Sequence, residues 1–329
     1  MDFLSDLFVG FGAQILSSVT AAFALAAIGL NIHFGYTGLV NIGQAGFMLL
    51  GAYGLALTIR YTGSFVLGVI AGVLAAVIFA FILGLPTLKL RGDYLAIVTI
   101  AAAEIVRIVG GDQALAPVTG GVAGIQGSQY QPAFTALSPF GPSGVFTIGP
   151  YTYPLSAGDS WWLRIVGWGL VALFAVLVLL LMHSPWGRVL KGIREDEDAM
   201  RSLGKNVYLY KMQSLVLGGA IGALGGMVYV LSASVQPDSL GRTTTFLLYT
   251  GLLLGGAATV FGPVVGMILY FIIISALQAF VGEFVPTSIV SGQQIPQITF
   301  ILVGIGLMLL VIFRPQGLLG NKKELRFGD

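Results

Sequence analysis

Three observations predict an all-α polytopic membrane protein of about nine transmembrane helices, N-terminus outside and C-terminus cytoplasmic. The first is composition: 56% of the residues are hydrophobic and only 9% charged, with a mean hydropathy of +0.92. Soluble domains carry roughly 25% charged residues, and a water-soluble core built from 329 residues cannot hide this much apolar surface. The second is a series of uncharged runs, each long enough for the roughly 20 residues that a bilayer crossing needs. The third is Ser184–Lys211, SPWGRVLKGIREDEDAMRSLGKNVYLYK, which gathers 10 of the 30 charged residues into 28 positions. An oily chain with its charge in one internal loop has a membrane part and one place where it meets the cytoplasm. The 47 glycines fit the same class, because small residues let helices approach closely where lipid supplies no hydrophobic drive.

The spans follow in order. No Asp, Glu, Lys or Arg lies between Asp6 and Arg60, which fits two spans, Val9–Ile32 and Val40–Ile59, separated by HFGYTG. The opening MDFLSD carries no basic residue and is not expected to be a secretory signal peptide. A third span covers Phe65–Pro86 and a fourth Tyr94–Val109. Residues 110–160, uncharged from 113 to 158 and rich in Gly, Pro, Ser, Thr and Gln, read as a long extracytoplasmic loop. A fifth span is Trp162–Met182, and a sixth, Met212–Val235, follows the charged loop. Thr243–Gly282 fits two spans hinged at Phe261-Gly262-Pro263, and the ninth is Ile295–Phe313. With the N-terminus outside, Lys89, Arg91, the six bases of the charged loop, Arg314, Lys322, Lys323 and Arg326 all fall inside, twelve of sixteen basic residues. That is the positive-inside bias.

Catalytic chemistry is poorly supported. The chain has no cysteine, no P-loop, no HExxH and no GxSxG, so no catalytic or metal-binding residues are assigned and no cofactor is expected in it. His33 and His183 both fall at predicted span ends and read as interfacial residues. Glu104 is the one acid inside a predicted span, with Arg107 three residues on along the same helix face. It reads as an ion pair near the outer interface or as a polar group on a route. The Asn31–Gly46 hinge carries Thr37, Asn41 and Gln44 after Gly35 and Gly38. It is either a short loop with a capped helix start or a broken helix, and non-helical backbone at that depth persists only where it is buried in protein or lines a cavity. Thr37, Asn41, Gln44, Glu104 and Arg107 are the pathway-lining candidates. Gly218, Gly222 and Gly226 recur every four residues and read as a helix-packing face.

Within the charged loop, Glu195, Asp196, Glu197 and Asp198 precede Ala199, Met200, Arg201, Ser202, Leu203 and Gly204. Acids first, Arg in the next turn and Gly at the end suit one short helix and its macrodipole. Ala199, Met200 and Leu203 would form a small apolar face, of the kind that lies in a groove on another protein.

GLNIHFGYTGLVNIGQAGFMLLGAY, LKLRGDYLAIVTIAAAEIVRIV, VTGGVAGI, the charged loop, GGMVYV and VIFRPQGLLG, in this order from Gly29 to Gly320, resemble the LivM-type permease of branched-chain amino acid ABC transporters. The resemblance implies a single permease domain over 1–329, multi-pass in a bacterial plasma (inner) membrane. It implies two cytoplasmic ATPase subunits, which would hold ATP and Mg, a homologous second permease, an extracytoplasmic substrate-binding protein, and no nucleic acid. The 184–211 loop would then be the coupling loop. Its EAA-type coupling helix maps onto Asp198-Ala199-Met200 and Gly204, with Asp for the usual Glu and Met for an Ala. Glu195, Asp196, Glu197, Asp198, Ala199, Met200, Arg201, Leu203 and Gly204 would contact the ATPase. Relatives often carry Ser and His where this chain has Asn41 and Gln44. The expected cargo is Leu, Ile or Val; the same machinery could carry urea, short amides or other amino acids. An ion-coupled transporter would need intramembrane carboxylates, and only Glu104 qualifies.

Overall fold

The computed structural model describes residues 3–88, 92–141, 144–284, 294–314 and 316–320. Lys89, Arg91, Lys322, Lys323 and Arg326, which the charge-bias reading uses, lie outside the described residues.

The first predicted span is two helices, α1 (Phe3–Leu16) and α2 (Ser18–Asn31). Ser17 divides them, because its hydroxyl accepts from the Val19 amide at 3.2 Å and so caps the start of α2. A π-helical turn (Ile32–Tyr36) prolongs α2 as far as Thr37, and residues 38–43 are not helical. Next come α3 (Gln44–Thr62), α4 (Phe65–Thr87) and α5 (Gly92–Gly111). The 110–160 loop holds two short helices, α6 (Ala116–Thr119) and α7 (Gln131–Thr135), and a hairpin of β1 (Val145–Ile148) with β2 (Tyr151–Pro154). The strands are antiparallel, with Val145 opposite Pro154 and Ile148 opposite Tyr151. The all-α expectation is corrected by this hairpin, whose β-branched and aromatic residues favour a strand. α8 (Trp161–His183) leads to α9 (Pro185–Glu195) and α10 (Glu197–Ser202). α11 (Val207–Ser232), α12 (Arg242–Gly255), α13 (Gly262–Phe284) and α14 (Ile295–Phe313) complete the bundle.

Among the described residues, six helical segments are long and apolar enough to cross a membrane: Ser18–Tyr36, Phe65–Thr87, Tyr94–Gly111, Trp161–His183, Val207–Ser232 and Gly262–Glu283. The chain is therefore a multi-pass membrane protein. The other three predicted spans fall on α3, α12 and α14. Two of these have a structural peculiarity. α12 has only 14 residues, about 21 Å of helix, less than the roughly 30 Å of hydrocarbon. α3 starts deep in the bundle, as its partners show below.

Burial runs opposite to that of a soluble bundle. The Phe65–Thr87 helix has a mean hydropathy of 3.0 and only 33% of it is buried, whereas the Ser18–Tyr36 helix has 1.5 and is 89% buried. The most apolar helix is thus largely exposed, and the least apolar of the six is the central one. α2 packs against α11, α13 and α8, and α11 also packs on α3 and α4. Lipid tails are as apolar as Leu, so close backbone approach has to hold the centre. A Cβ added at Gly218 would collide with the Gly29 carbonyl, at Gly222 with the Gln44 amide, and at Gly226 with the Met48 carbonyl.

The end of the bundle that carries the hairpin is tied together by polar contacts. Arg164 is buried, bonds Asp159 Oδ2 and its carbonyl at 2.6 Å each, and lies 3.4 Å from the Tyr153 ring centroid. Asp159 also accepts from Ser18 at the start of α2, at 2.5 Å. The Tyr130 hydroxyl lies 2.7 and 2.8 Å from the Ala233 and Val230 carbonyls, and burial pushes its phenol above the ordinary range.

Gly218→Val is expected to destabilise the purified protein by about 3 kcal/mol through overpacking. Gly304→Val, at a position with nothing within 4 Å of an added Cβ, is expected to stay within about 0.5 kcal/mol. Thermal unfolding in detergent checks both; equal effects would contradict the close-packed α2–α11 interface.

Candidate functional site

The π-turn and residues 38–43 interrupt a helix inside the bundle, so their backbone groups need partners from protein. Each amide that enters α3 finds one. The Ile42 amide donates to Thr99 Oγ1 of α5 (3.1 Å), the Gly43 amide to Asn41 Oδ1 (2.9 Å), and the Ala45 amide to Thr245 Oγ1 of α12 (3.0 Å). The Tyr249 hydroxyl of α12 donates to the Asn41 carbonyl at 3.0 Å. On the departing side, the Leu39 amide donates to the His33 carbonyl at 2.8 Å. Thr37 donates to the Ile32 carbonyl at 2.8 Å and lies 2.7 Å from the Ser214 hydroxyl. The interruption is thus bonded largely within protein, a setting in which irregular backbone persists at membrane depth.

Its side chains form one connected network. His33 is fully buried; its Nε2 donates to the Leu215 carbonyl at 3.2 Å, because a carbonyl can only accept. That fixes the neutral tautomer in which Nδ1 accepts from the Asn41 amide nitrogen at 3.0 Å. The same Asn41 nitrogen donates to Gln44 Oε1 at 3.0 Å, and Gln44 Nε2 donates to the Ala26 and Gly218 carbonyls at 3.3 and 3.2 Å. Gly218 lies 11 residues into α11, about 16 Å along its axis, near mid-depth. Asn41 and Gln44 are therefore brought together with His33, whereas Thr37 bonds the Ile32 carbonyl and Ser214. All three candidates are buried, with no exposure above 2%. The histidine that the sequence reading set at an interface is corrected: it is the hub of the break. A hidden signal was its spacing, since His33 and Asn41 flank Gly35 and Gly38 in a chain with only two histidines.

A second interruption meets the first. Between α12 and α13, residues 256–261 are non-helical and Ala258 takes a positive φ of 62°. Asn31, the last residue of α2, reads this loop with both ends of its amide: the Ala258 amide donates to Oδ1 at 2.9 Å, and Nδ2 donates to the Thr259 carbonyl at 2.8 Å. The Leu318 and Leu319 amides donate to the Leu254 and Gly255 carbonyls at 3.0 and 2.9 Å, satisfying the last carbonyls of α12.

The charged segment folds as two helices rather than one. Ser184 is extended (φ −74°, ψ 170°) and Pro185 opens α9, where its missing amide costs nothing. Leu190 and Ile193 are buried, and the basic residues take the other face. Asp196 is extended and breaks the chain; its carboxylate accepts from the Asp198 and Ala199 amides at 2.9 and 3.0 Å and caps α10. The expected single helix over Glu195–Gly204 is thus confined to Glu197–Ser202, and Glu195 closes α9. Arg201 bonds Glu197 and Asp198 at 2.5 and 3.0 Å, and Lys211 bonds Glu197. The expected apolar face is divided. Met200 packs with Val189, Ile193 and Val207, whereas Ala199 and Leu203 are exposed, Leu203 by 71%. Gly204 ends the segment with φ +76°. A hydrogen bond joins this segment to the break: Arg194 Nη1 donates to the Gly35 carbonyl at 2.6 Å.

Glu104 and Arg107 stand apart from the break. Arg107 bonds Glu104 through Nη2 and Nε at 2.6 and 3.0 Å and reaches Asp238 through Nη1. The trio ties α5 to the segment before α12, at the end opposite α9.

Residues 13–312 match the family described as "Branched-chain amino acid transport system / permease component". The chain is 30% identical over 320 residues to the high-affinity branched-chain amino acid transport system permease protein LivM of Escherichia coli (strain K12), a match spanning 94% of this chain and 70% of that protein. It is 26% identical over 366 residues to the probable branched-chain amino acid transport permease protein LivM of Methanocaldococcus jannaschii, covering 98% and 94%. A solved structure, PsaBC from Streptococcus pneumoniae in complex with Fab, superposes with a TM-score of 0.45 at 14% identity, over 94% of this chain and 96% of that one.

Asn41→Leu would leave His33 Nδ1, Gln44 Oε1 and the Gly43 amide buried without their partner. The expected cost is about 2–4 kcal/mol of stability, measured as a lowered melting temperature of the purified protein. An unchanged melting temperature would show that the network does not hold the break.

Proposed function

This chain belongs to the branched-chain amino acid transport system permease family, and from that premise we propose that it is the membrane-spanning subunit of an ATP-driven importer of leucine, isoleucine and valine. The observation that carries the reading is the extent of the family match. It runs through both helix breaks and the α9–α10 segment without leaving a functional part of the bundle aside. In this reading two cytoplasmic ATPase subunits hold the ATP and Mg, a homologous permease completes the membrane part, and an extracytoplasmic binding protein delivers the amino acid. The chain crosses a bacterial inner membrane nine times, with its N-terminus outside and α9–α10 and the C-terminus in the cytoplasm.

The arrangement of charge supports an ATP-driven rather than an ion-coupled machine. Glu104, the carboxylate inside a span that an ion-coupled mechanism would need, is engaged by Arg107. The exposed surface of α9–α10, in contrast, is densely charged, with Arg188, Lys191, Glu195, Asp196, Asp198, Arg201 and the apolar tip Leu203 open to a partner. A helical knob of this kind fits a groove on a soluble protein. ATP binding would draw the two ATPases together and displace α9–α10, and the bundle would follow by moving its packed helices as units. No covalent step falls to this chain.

Charge reversal at two exposed positions, Glu195→Lys with Asp198→Lys, tests the reading with little risk to the fold. The expected result is loss of co-purifying ATPase subunits and an ATP-dependent leucine uptake reduced about tenfold or more. Uptake and co-purification at the unaltered level would remove α10 from the coupling surface.

A further inference from the structure

The contact between Arg194 and the helix break has a specific physical role. A helix ending inside a bundle leaves its last carbonyls without intrahelical donors and its negative dipole end unopposed. Gly35 lies in the final turn of the α2–π-helix unit. The Leu39 amide, four residues on, is engaged by the His33 carbonyl instead. The Gly35 carbonyl receives Arg194 Nη1 at 2.6 Å, so a cation from α9 caps the end of α2.

The fit is close on every side. A Cβ at Gly38, where φ is +75°, would lie 3.2 Å from Arg194 Cγ and 3.5 Å from its Cα, so the α9 backbone itself rests on the turn. Lys191, three residues earlier on the same face of α9, places its Nζ 5.9 Å from the centroid of the Tyr36 ring. The opposite side of Gly35 is closed by Asn31 and the Ala258 amide, where an added Cβ would clash. The break is therefore gripped between α9 and the 256–261 loop. Leu190, one turn before Arg194, and Ile193 are buried and hold α9 against the bundle, so α9 and the turn can move together.

We propose that Arg194 is the positioning residue through which a displacement of α9–α10 reaches the helix break: it does not dock the ATPase but transmits its movement to residues 32–43. The proposal rests on the importer reading above. If α9 shifts, either the Arg194 bond carries the α2 terminus with it or the terminus loses its cap. Either outcome changes the energy of the break in the arrangement seen here.

The test uses the assembled importer, chain plus ATPases, second permease and binding protein, reconstituted in lipid vesicles. It reads amino acid taken up per ATP hydrolysed for Arg194→Ala and Arg194→Lys. Arg194→Ala is expected to assemble with its ATPases and hydrolyse ATP while uptake per ATP falls about tenfold. Arg194→Lys, which keeps the charge but not the planar fork, is expected to recover part of the loss. Co-purified ATPase stoichiometry and the melting temperature establish that each variant is folded and assembled. Wild-type uptake per ATP in Arg194→Ala would overturn the proposal. So would parallel loss of uptake and of bound ATPase, which would make Arg194 a docking residue. Absence of ATP-dependent uptake in the unaltered complex would defeat the importer reading itself, and that result appears in the wild-type arm alone.

Discussion

A polypeptide backbone inside hydrocarbon has no water to bond, so wherever its helix stops the protein must supply every donor and acceptor. Most of what is distinctive in this bundle follows from meeting that constraint at residues 32–43. Thr99, Thr245, Tyr249 and Asn41 exist there as partners for four backbone groups of one interrupted helix. Two other helices contribute, α5 and α12, so these bonds form only when both are in register with the start of α3. A polar network in a low-dielectric interior is favourable when complete and costly when one member is missing. The break thus specifies the bundle's arrangement as much as the bundle shelters the break.

The packing around it is the converse of a water-soluble core. The helices with the highest hydropathy face outward, and the centre combines Leu, Ile, Phe and Met side chains with close-packed glycine and alanine and a few bonded polar groups. Glycine on α11 serves two ends there. It admits the α2 backbone, and it leaves the Gly218 carbonyl within reach of Gln44. A larger residue at that point would remove both the close approach and the acceptor.

The membrane class, the long helices and the position of the charged segment were legible because they depend on local composition. The ninth span, Ile295–Phe313, coincides with α14, and the fifth differs from α8 by one residue at each end. The features that were not legible depend on what a residue meets in three dimensions. Ser17 was hidden in an apolar run because a cap is set by backbone geometry, and one hydroxyl hardly changes hydropathy. Glu195 to Gly204 read as one helix because acids at a helix start look alike, whereas only Asp196 bends the chain and accepts the capping bonds. His33 read as interfacial because a lone histidine near a turn usually is. Its place at mid-depth follows from α3 beginning inside the bundle, which no local pattern announces. The pairing of Asn31 with residues 258 and 259, 227 positions and more away, belongs to the same class.

Two distant stretches of sequence meet in the fold: the charged helices at 185–202 and the break at 32–43. Hydrogen exchange followed by mass spectrometry on the assembled importer, with and without a trapped ATP state, addresses that contact directly. Amides of 32–43 should change protection together with those of 185–204, while the α2 amides of 20–30 remain protected in both states. A nucleotide-dependent change in 185–204 with none in 32–43 would show that the break is a static support and would contradict the account.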